Sequence, residues 1–247
     1  MRPLSTLIAT SLAAACSTTY SPTASPEPAL RAEQQRLRAE GAALYDRVGW
    51  TYQQRSAAAL AQQFTQRHSE PDRVVGLLPL EPGDRVVDIG AGVGWFTFRL
   101  AQATGPEGRV TALDIQPEAI DLLHARTMDR QLNSHDNVQP RVSAVDDCQL
   151  EPASVDLAFM AHLGFYLHPE LMEENVSMLA SVARALAPDG HLAVLEYIPP
   201  GLTDDHLAGH FEDAGFALHD ATYFQQHQTW LYDFGLAQHD ADRAAGS

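Results

Sequence analysis

Short apolar runs rich in β-branched residues alternate along this chain with amphipathic stretches, and turn residues stand between them. Val86-Val87-Asp88-Ile89 has the pattern of a buried strand, and Trp95 to Ala103 that of the helix after it. Gly108 to Asp114 predicts a second strand, Pro117 to Gln131 a helix with proline in its first turn, and Val138 to Val145 a third strand. Asp156 to Met160 predicts a fourth strand and Glu170 to Leu186 the next helix, closed by a Pro188-Asp189-Gly190 turn. His191 to Ile198 is the fifth strand, broken by Pro199-Pro200-Gly201. Thr203 to Ala214 has helical spacing with Thr203 at the cap position, and Phe216 to Phe224 and Thr229 to Phe234 read as two further strands. Upstream, Ser69-Glu70-Pro71 opens a short helix from Asp72 to Leu78, and Pro82-Gly83 turns the chain into the first strand. No internal repeat is visible.

Strands alternating with helices, joined by right-handed crossovers, make an α/β fold: a doubly wound, Rossmann-like sheet with helices on both faces and its ligand at the carboxyl ends of the strands. Residues 30–70 form a separate N-terminal helical segment or lid, with Leu37, Leu44 and Val48 on one stripe. Tyr45, Trp50, Tyr52 and Phe64 within it could cover a site, although packing on the sheet is the commoner use of such aromatics. The wound domain runs over residues 71–236, and residues 237–247 make a frayed tail.

The first strand ends in Asp88 and then meets glycines at alternate positions, Gly90, Gly92 and Gly94. A tight strand-to-helix turn needs unusual φ values there, and a ligand approaches backbone closely only where no Cβ intervenes. A dinucleotide site wants G-x-G-x-x-G, with pyrophosphate on bare backbone at the helix start. Position 95 is tryptophan, so the pattern is G-x-G-x-G, and a nicotinamide-binding oxidoreductase is opposed by that one residue.

Asp88 followed by Gly90-Ala91-Gly92-Val93-Gly94 resembles the first motif of the class I S-adenosylmethionine (SAM) dependent methyltransferases. Their ligand carries a sulfonium and an ammonium instead of phosphate, which suits acidic neighbours. Asp114 stands twenty residues beyond Gly94 at the end of the second strand, where a carboxylate can accept both ribose hydroxyls. The resemblance puts Asp88, Gly90, Ala91, Gly92 and Gly94 at the methionyl part, Asp114 with Ile115 at the ribose, and Asp146 with Asp147 at the adenine N6 amine. It covers roughly residues 71–234 and implies seven strands in the order 3-2-1-4-5-7-6, the seventh antiparallel. The opening from Pro71 through Gly92 also resembles exported methyltransferases of bacteria.

Composition narrows the partners. In 247 residues the net charge is −16 and lysine is absent, so nucleic acid, which needs clustered cations, is excluded as a partner. Residues 1–15 place Arg2, a short apolar run and small residues before Cys16, the layout of a secretory signal too short to span a bilayer permanently. Cys16 after three alanines is similar to a bacterial lipoprotein cleavage site, with Leu12 one place early. The expectation is a lipidated Cys16, favoured over an ordinary cleaved signal with Cys16 unmodified, then a Ser/Thr/Pro-rich tether over residues 16–29 and attachment to the periplasmic face of a membrane, with Ser17 pointing to the outer one. Cys148 is then the sole free thiol.

Methyl transfer from a sulfonium is an in-line displacement, so the protein mainly holds donor and acceptor close and dry. Acceptor-side candidates are His162, Tyr166, His168, Glu196 and Tyr197, at the tips of strands four and five. His162 could take a proton from a hydroxyl or thiol, or could simply bond a backbone carbonyl; Tyr166 serves as pocket wall or catalyst. Met160-Ala161-His162-Leu163 lacks the Asn/Asp-Pro-Pro-aromatic signature of amide- and base-nitrogen methyltransferases, and lacks the carboxylates of magnesium-dependent catechol enzymes. A small-molecule acceptor and no metal are therefore expected. His206 and His210 have an i, i+4 chelating spacing, but a solvated helix face accounts for them as well. Because SAM is made in the cytoplasm, export leaves a second reading: a non-catalytic binding module holding a nucleoside-like or other small ligand.

Overall fold

The computed structural model describes residues 32–33, 35–40, 70–129, 136–163, 172–197 and 204–237. The expected signal segment, Cys16, the tether, the aromatics from Tyr45 to Phe64, Tyr166, His168 and the tail lie outside the described residues.

Twelve elements follow in order: α1 (Pro71–Leu77), β1 (Arg85–Ile89), α2 (Thr97–Thr104), β2 (Arg109–Asp114), α3 (Pro117–Thr127), β3 (Val138–Val142), β4 (Val155–Ala161), α4 (Met172–Ala185), β5 (Leu186–Tyr197), α5 (Asp204–Asp213), β6 (Phe216–Phe224) and β7 (Thr229–Leu236). They form one seven-stranded sheet in the order β3-β2-β1-β4-β5-β7-β6. Pairing is parallel from β3 through β5, and β7 runs antiparallel to both β5 and β6. Prolines at the starts of α1 and α3 cost those helices nothing, since the first-turn amides have no intrahelical acceptor anyway.

Side chains alternate faces along a strand, so each central strand feeds two cores. Val86, Val110, Leu157, Phe159 and Leu195 meet Leu100 of α2, Leu123 of α3 and Leu37 on one face. Val87, Ile89, Ala158, Met160 and Val194 meet Val182 of α4 and Phe211 of α5 on the other. Each of the larger aliphatic and aromatic side chains among them contributes roughly 1.5–3 kcal/mol by leaving water. Residues 32–33 and 35–40 are helical and dock through buried Leu37, through an Arg38–Asp121 bridge of 3.0 Å, and through Gln149 Nε2 donating to Glu33 over 3.1 Å. No helix among the described residues is long and apolar enough to cross a membrane.

Several boundaries differ from the sequence expectation, among them the end of α3, which stops at Thr127 instead of Gln131. β3 stops at Val142 instead of Val145, because the Ser143 amide still bonds Asp114 O but the chain then leaves the ladder. The turn expected at Pro188-Asp189-Gly190 is absorbed into β5, which begins at Leu186: Leu186 pairs with Val155 and His191 with Leu157, so residues between them bulge. α2 begins at Thr97, two residues after Trp95, since the glycine bend continues into a turn.

Candidate functional site

The carboxyl ends of β1, β2 and β4 meet around the glycine bend. Gly90 and Ala91 amides both donate to Leu113 O, at 2.8 and 2.9 Å, which ties the start of the bend to β2. Arg126 of α3 donates to Val93 O and stacks on Phe98 at 4.6 Å, holding the far side. Gly90, Gly92 and Gly94 all have positive φ, +74°, +54° and +88°. Their surroundings differ, however. A Cβ on Gly94 would strike Leu123 and Phe98 at 2.3 and 2.8 Å, and one on Gly90 would strike Leu163 at 2.1 Å. At Gly92 a Cβ would meet nothing within 4 Å. The first and third glycines thus face neighbouring side chains, while the second presents bare backbone to open space.

Two carboxyls lie beneath this bend, both buried. Asp114 Oδ2 accepts the Gly92 amide and Oδ1 the Gln116 amide, each at 2.7 Å. Asp88 Oδ2 accepts from Thr97 Oγ1 at 2.6 Å. Burial pushes the Asp88 carboxyl up to about 7, against the hydroxyl of Thr97, and the neighbouring Asp114 charge adds to the rise. Burial likewise raises Asp114 to about 6, opposed by the two amides. Acids held this way favour a cation or a hydroxyl donor beside them. Ile115 is half-buried beside them.

The other sequence candidates are distributed around this centre. His162 follows β4 with φ +55°, an uncommon conformation for a residue with a Cβ, and its amide donates to Leu195 O. Its Nδ1 lies 3.9 Å from Oε1 of Glu196, a buried acid that also accepts the Tyr197 amide. Asp146 is exposed beyond β3, while Asp147 Oδ1 accepts from Arg184 at 3.0 Å and from the Gln149 amide at 2.8 Å. Cys148 is buried with a free thiol. Trp95 packs against the core cluster that holds Leu100 and Leu123, and Arg99 lies over its ring at 4.9 Å. Sequence alone does not reveal Thr97, Arg126 and Leu163 as parts of the site, because nothing in a threonine, an arginine or a leucine marks what its side chain will meet.

A cleft of about 1310 Å³ opens at the other end of the sheet, beside Arg85, Arg109 and Val155 at the amino ends of β1, β2 and β4. It includes neither the glycine bend nor Asp88 and Asp114. Its arginines are partly neutralised in place, Arg85 by Asp156 at 2.7 Å and Arg99 by Asp72 at 2.7 Å. This cleft is therefore separate from the buried acids and the open glycine.

A doubly wound sheet whose first two parallel strands end in buried acids around a G-x-G-x-G bend defines a Rossmann-like domain of the methyltransferase type. Residues 80–239 match the family model described as "Methyltransferase domain", and the chain belongs to that family. It is 27% identical over 175 residues to a 27-O-demethylrifamycin SV methyltransferase of Amycolatopsis mediterranei, covering 69% of this chain and 60% of the relative. It is 31% identical over 127 residues to the ubiquinone/menaquinone biosynthesis C-methyltransferase UbiE of Ectopseudomonas mendocina, covering 51% of this chain and 47% of the relative. The chain thus spans about half the length of the curated relatives it matches. Its fold is similar to that of a SAM-dependent methyltransferase from Aquifex aeolicus, with a TM-score of 0.57 and 23% identity over 67% of this chain and 89% of the other.

The family and these neighbours imply S-adenosylmethionine as the cofactor. The residues present fit it: Gly92 leaves backbone accessible, and Asp88 and Asp114 offer carboxylates to a ligand with two cationic centres and a ribose diol.

Proposed function

We propose that this protein transfers a methyl group from SAM to a small-molecule acceptor, and that it works on the periplasmic face of a bacterial membrane, anchored through a lipidated Cys16. The buried acids Asp88 and Asp114 beside the open backbone of Gly92 carry the catalytic part of this reading. When bound, SAM supplies an electrophilic methyl on a sulfonium. Asp88 and the bend would neutralise and orient the methionyl end, and Asp114, whose oxygens each keep a lone pair after the Gly92 and Gln116 amides, would accept the ribose hydroxyls. Asp146 is the better placed acid for the adenine amine, since Asp147 already holds Arg184.

His162 would take the acceptor's proton, with Glu196 behind the ring at 3.9 Å to stabilise the imidazolium. Such an arrangement suits a hydroxyl or thiol acceptor, which must lose a proton to finish as an ether or thioether. Tyr166, four residues after His162, is the second acceptor-side candidate. Export and the anchor rest on the layout of residues 1–29 and on the resemblance to bacterial lipoproteins.

Equilibrium titration of the full chain with SAM, S-adenosylhomocysteine and NAD, followed by transfer of labelled methyl to a panel of hydroxyl and thiol compounds, tests the proposal. Binding of the two sulfur nucleosides together with label in a small product supports it. Selective NAD binding would overturn the cofactor assignment, and binding without transfer to any acceptor would support the non-catalytic module.

A further inference from the structure

At the far end of the sheet from the glycine bend, three antiparallel strands bring His191 of β5, His219 of β6 and Asp233 of β7 together, with one donor atom of each within 4.8 Å of the others. Several independent features of the backbone converge on this cluster. Asp233 pairs with Ala193, two residues along β5 from His191, so both side chains rise from the same face. His191 Nδ1 stands 2.9 and 3.2 Å from the two Asp233 oxygens.

His219 occupies a β-bulge. Leu218 pairs with Phe234 and Asp220 with Asp233, so one extra residue is accommodated on β6, and that residue is His219. Bulges re-aim a side chain relative to the ladder. The ring is received by Gly235, where a Cβ would meet His219 Cε1 at 2.3 Å and Nε2 at 2.7 Å. Only a glycine at this place in β7 lets the imidazole lie down across the strand, where it meets the His191 ring edge-on at 5.8 Å. A glycine inside a strand costs stability and packs nothing, so its presence beneath this ring needs a reason.

We propose that His191, His219 and Asp233 form a binding site for a divalent transition metal ion of the zinc class. Two imidazoles and a carboxylate are borderline donors that suit zinc, nickel or copper over calcium or magnesium. Bonds of about 2.0–2.2 Å to a tetrahedral ion place adjacent donors roughly 3.3 Å apart, close to the observed His191–Asp233 separation. His191 and Asp233 are half-buried and His219 is exposed, so solvent fills the remaining position. The ion would cross-link β5, β7 and β6 at the edge of the sheet. His191 lies five residues before Glu196 on β5, which puts the ion about 16 Å from the acceptor end and outside methyl transfer.

The test is titration of the chelator-treated, tag-free full chain with Zn²⁺, and with Co²⁺ for its visible ligand-field bands. One equivalent is expected to bind and to raise the melting temperature. His219→Ala and Asp233→Asn should each weaken Zn²⁺ binding at least tenfold. Gly235→Ala should do the same although every donor remains, because its methyl group displaces the His219 ring. SAM binding, read in parallel, should be unchanged in His219→Ala and so verify its fold. Equal Zn²⁺ affinity in His219→Ala and wild type would overturn the proposal, as would loss of the bound equivalent in His206→Ala/His210→Ala instead, or a Co²⁺ spectrum unchanged by both His219→Ala and Gly235→Ala.

Discussion

The amide of Gly92 donates to Oδ2 of Asp114 over 2.7 Å, latching the middle of the glycine bend to the tip of the neighbouring strand. One carboxylate therefore shapes the loop and remains available to a ligand. Removing it in Asp114→Ala should lower SAM affinity at least tenfold, in line with charge-assisted bonds of about 1.5–3 kcal/mol each. Amide exchange at Gly92 should also quicken even without ligand. Asp114→Asn keeps one acceptor oxygen and should fall between the two. Calorimetric titration and hydrogen exchange read these outcomes, and unchanged affinity in Asp114→Ala would remove the ribose role.

The glycines of the bend separate packing from binding. Gly94→Ala drives a methyl into Leu123 and Phe98 and keeps φ at +88°, so about 2–4 kcal/mol of stability should go, read by urea denaturation. Gly92→Ala meets no neighbour and bears only left-handed strain, about 1–2 kcal/mol. It should fold and yet bind SAM poorly, because its methyl projects into the approach to the backbone. Normal SAM binding by Gly92→Ala would show that the ligand does not come over this residue.

This contrast also marks what the residues announce by themselves. Asp88, the alternate glycines and Asp114 are legible because the strand, the bend and the next strand are neighbours in sequence and the spacing is the geometry. The seven-strand order, which the resemblance implies, agrees with the sheet; pattern alone supplies only the alternation of strand and helix. Thr97, Arg126 and Leu163 reach the bend through tertiary packing, and no periodicity encodes such a meeting. The end of β3 is not legible in the sequence, because Ala144 and Val145 have strand character while the chain leaves the ladder after Val142. The same limit applies to His219: a bulge is a register event between two strands, whereas the His206–His210 spacing is visible on one line of sequence.

The acceptor side makes a kinetic prediction. His162→Gln removes the basic nitrogen while leaving the bend and both acids in place. It should lower kcat by about 10²–10⁴ with a hydroxyl or thiol acceptor and leave SAM affinity within twofold of wild type. Glu196→Gln should act more mildly, by raising the energy of the charged imidazole in the transition state, and should displace the acidic limb of the pH–rate profile. A matched fall in kcat and in SAM affinity in His162→Gln would assign the residue to the cofactor pocket instead.

The anchor is tested in cells. Cys16→Ser should abolish metabolic labelling of the protein by fatty acid and shift it from the membrane to the soluble fraction after lysis. Labelling that persists in the variant would remove the anchor and leave the methyltransferase domain untouched.

The final expectation follows from the two raised carboxyls. Asp88 at about 7 and Asp114 at about 6 bind protons more tightly folded than unfolded, where the ordinary value is 3.8. Between pH 4 and 7 the native state therefore holds more protons than the unfolded chain, and stability from these two groups falls as pH rises through that window. The loss is on the order of a few kcal/mol at pH 8. Asp88→Asn keeps the size of the side chain and cannot ionise, so its melting temperature should match wild type near pH 4 and exceed it increasingly toward pH 8. Cofactor binding should run the other way: a cationic ligand prefers ionised acids, so SAM affinity should climb between pH 5.5 and 8 in the wild type and lose most of that climb in Asp88→Asn. Thermal melts and titrations across pH measure both trends, and a SAM affinity independent of pH in the wild type would mean that neither acid meets the ligand's charge.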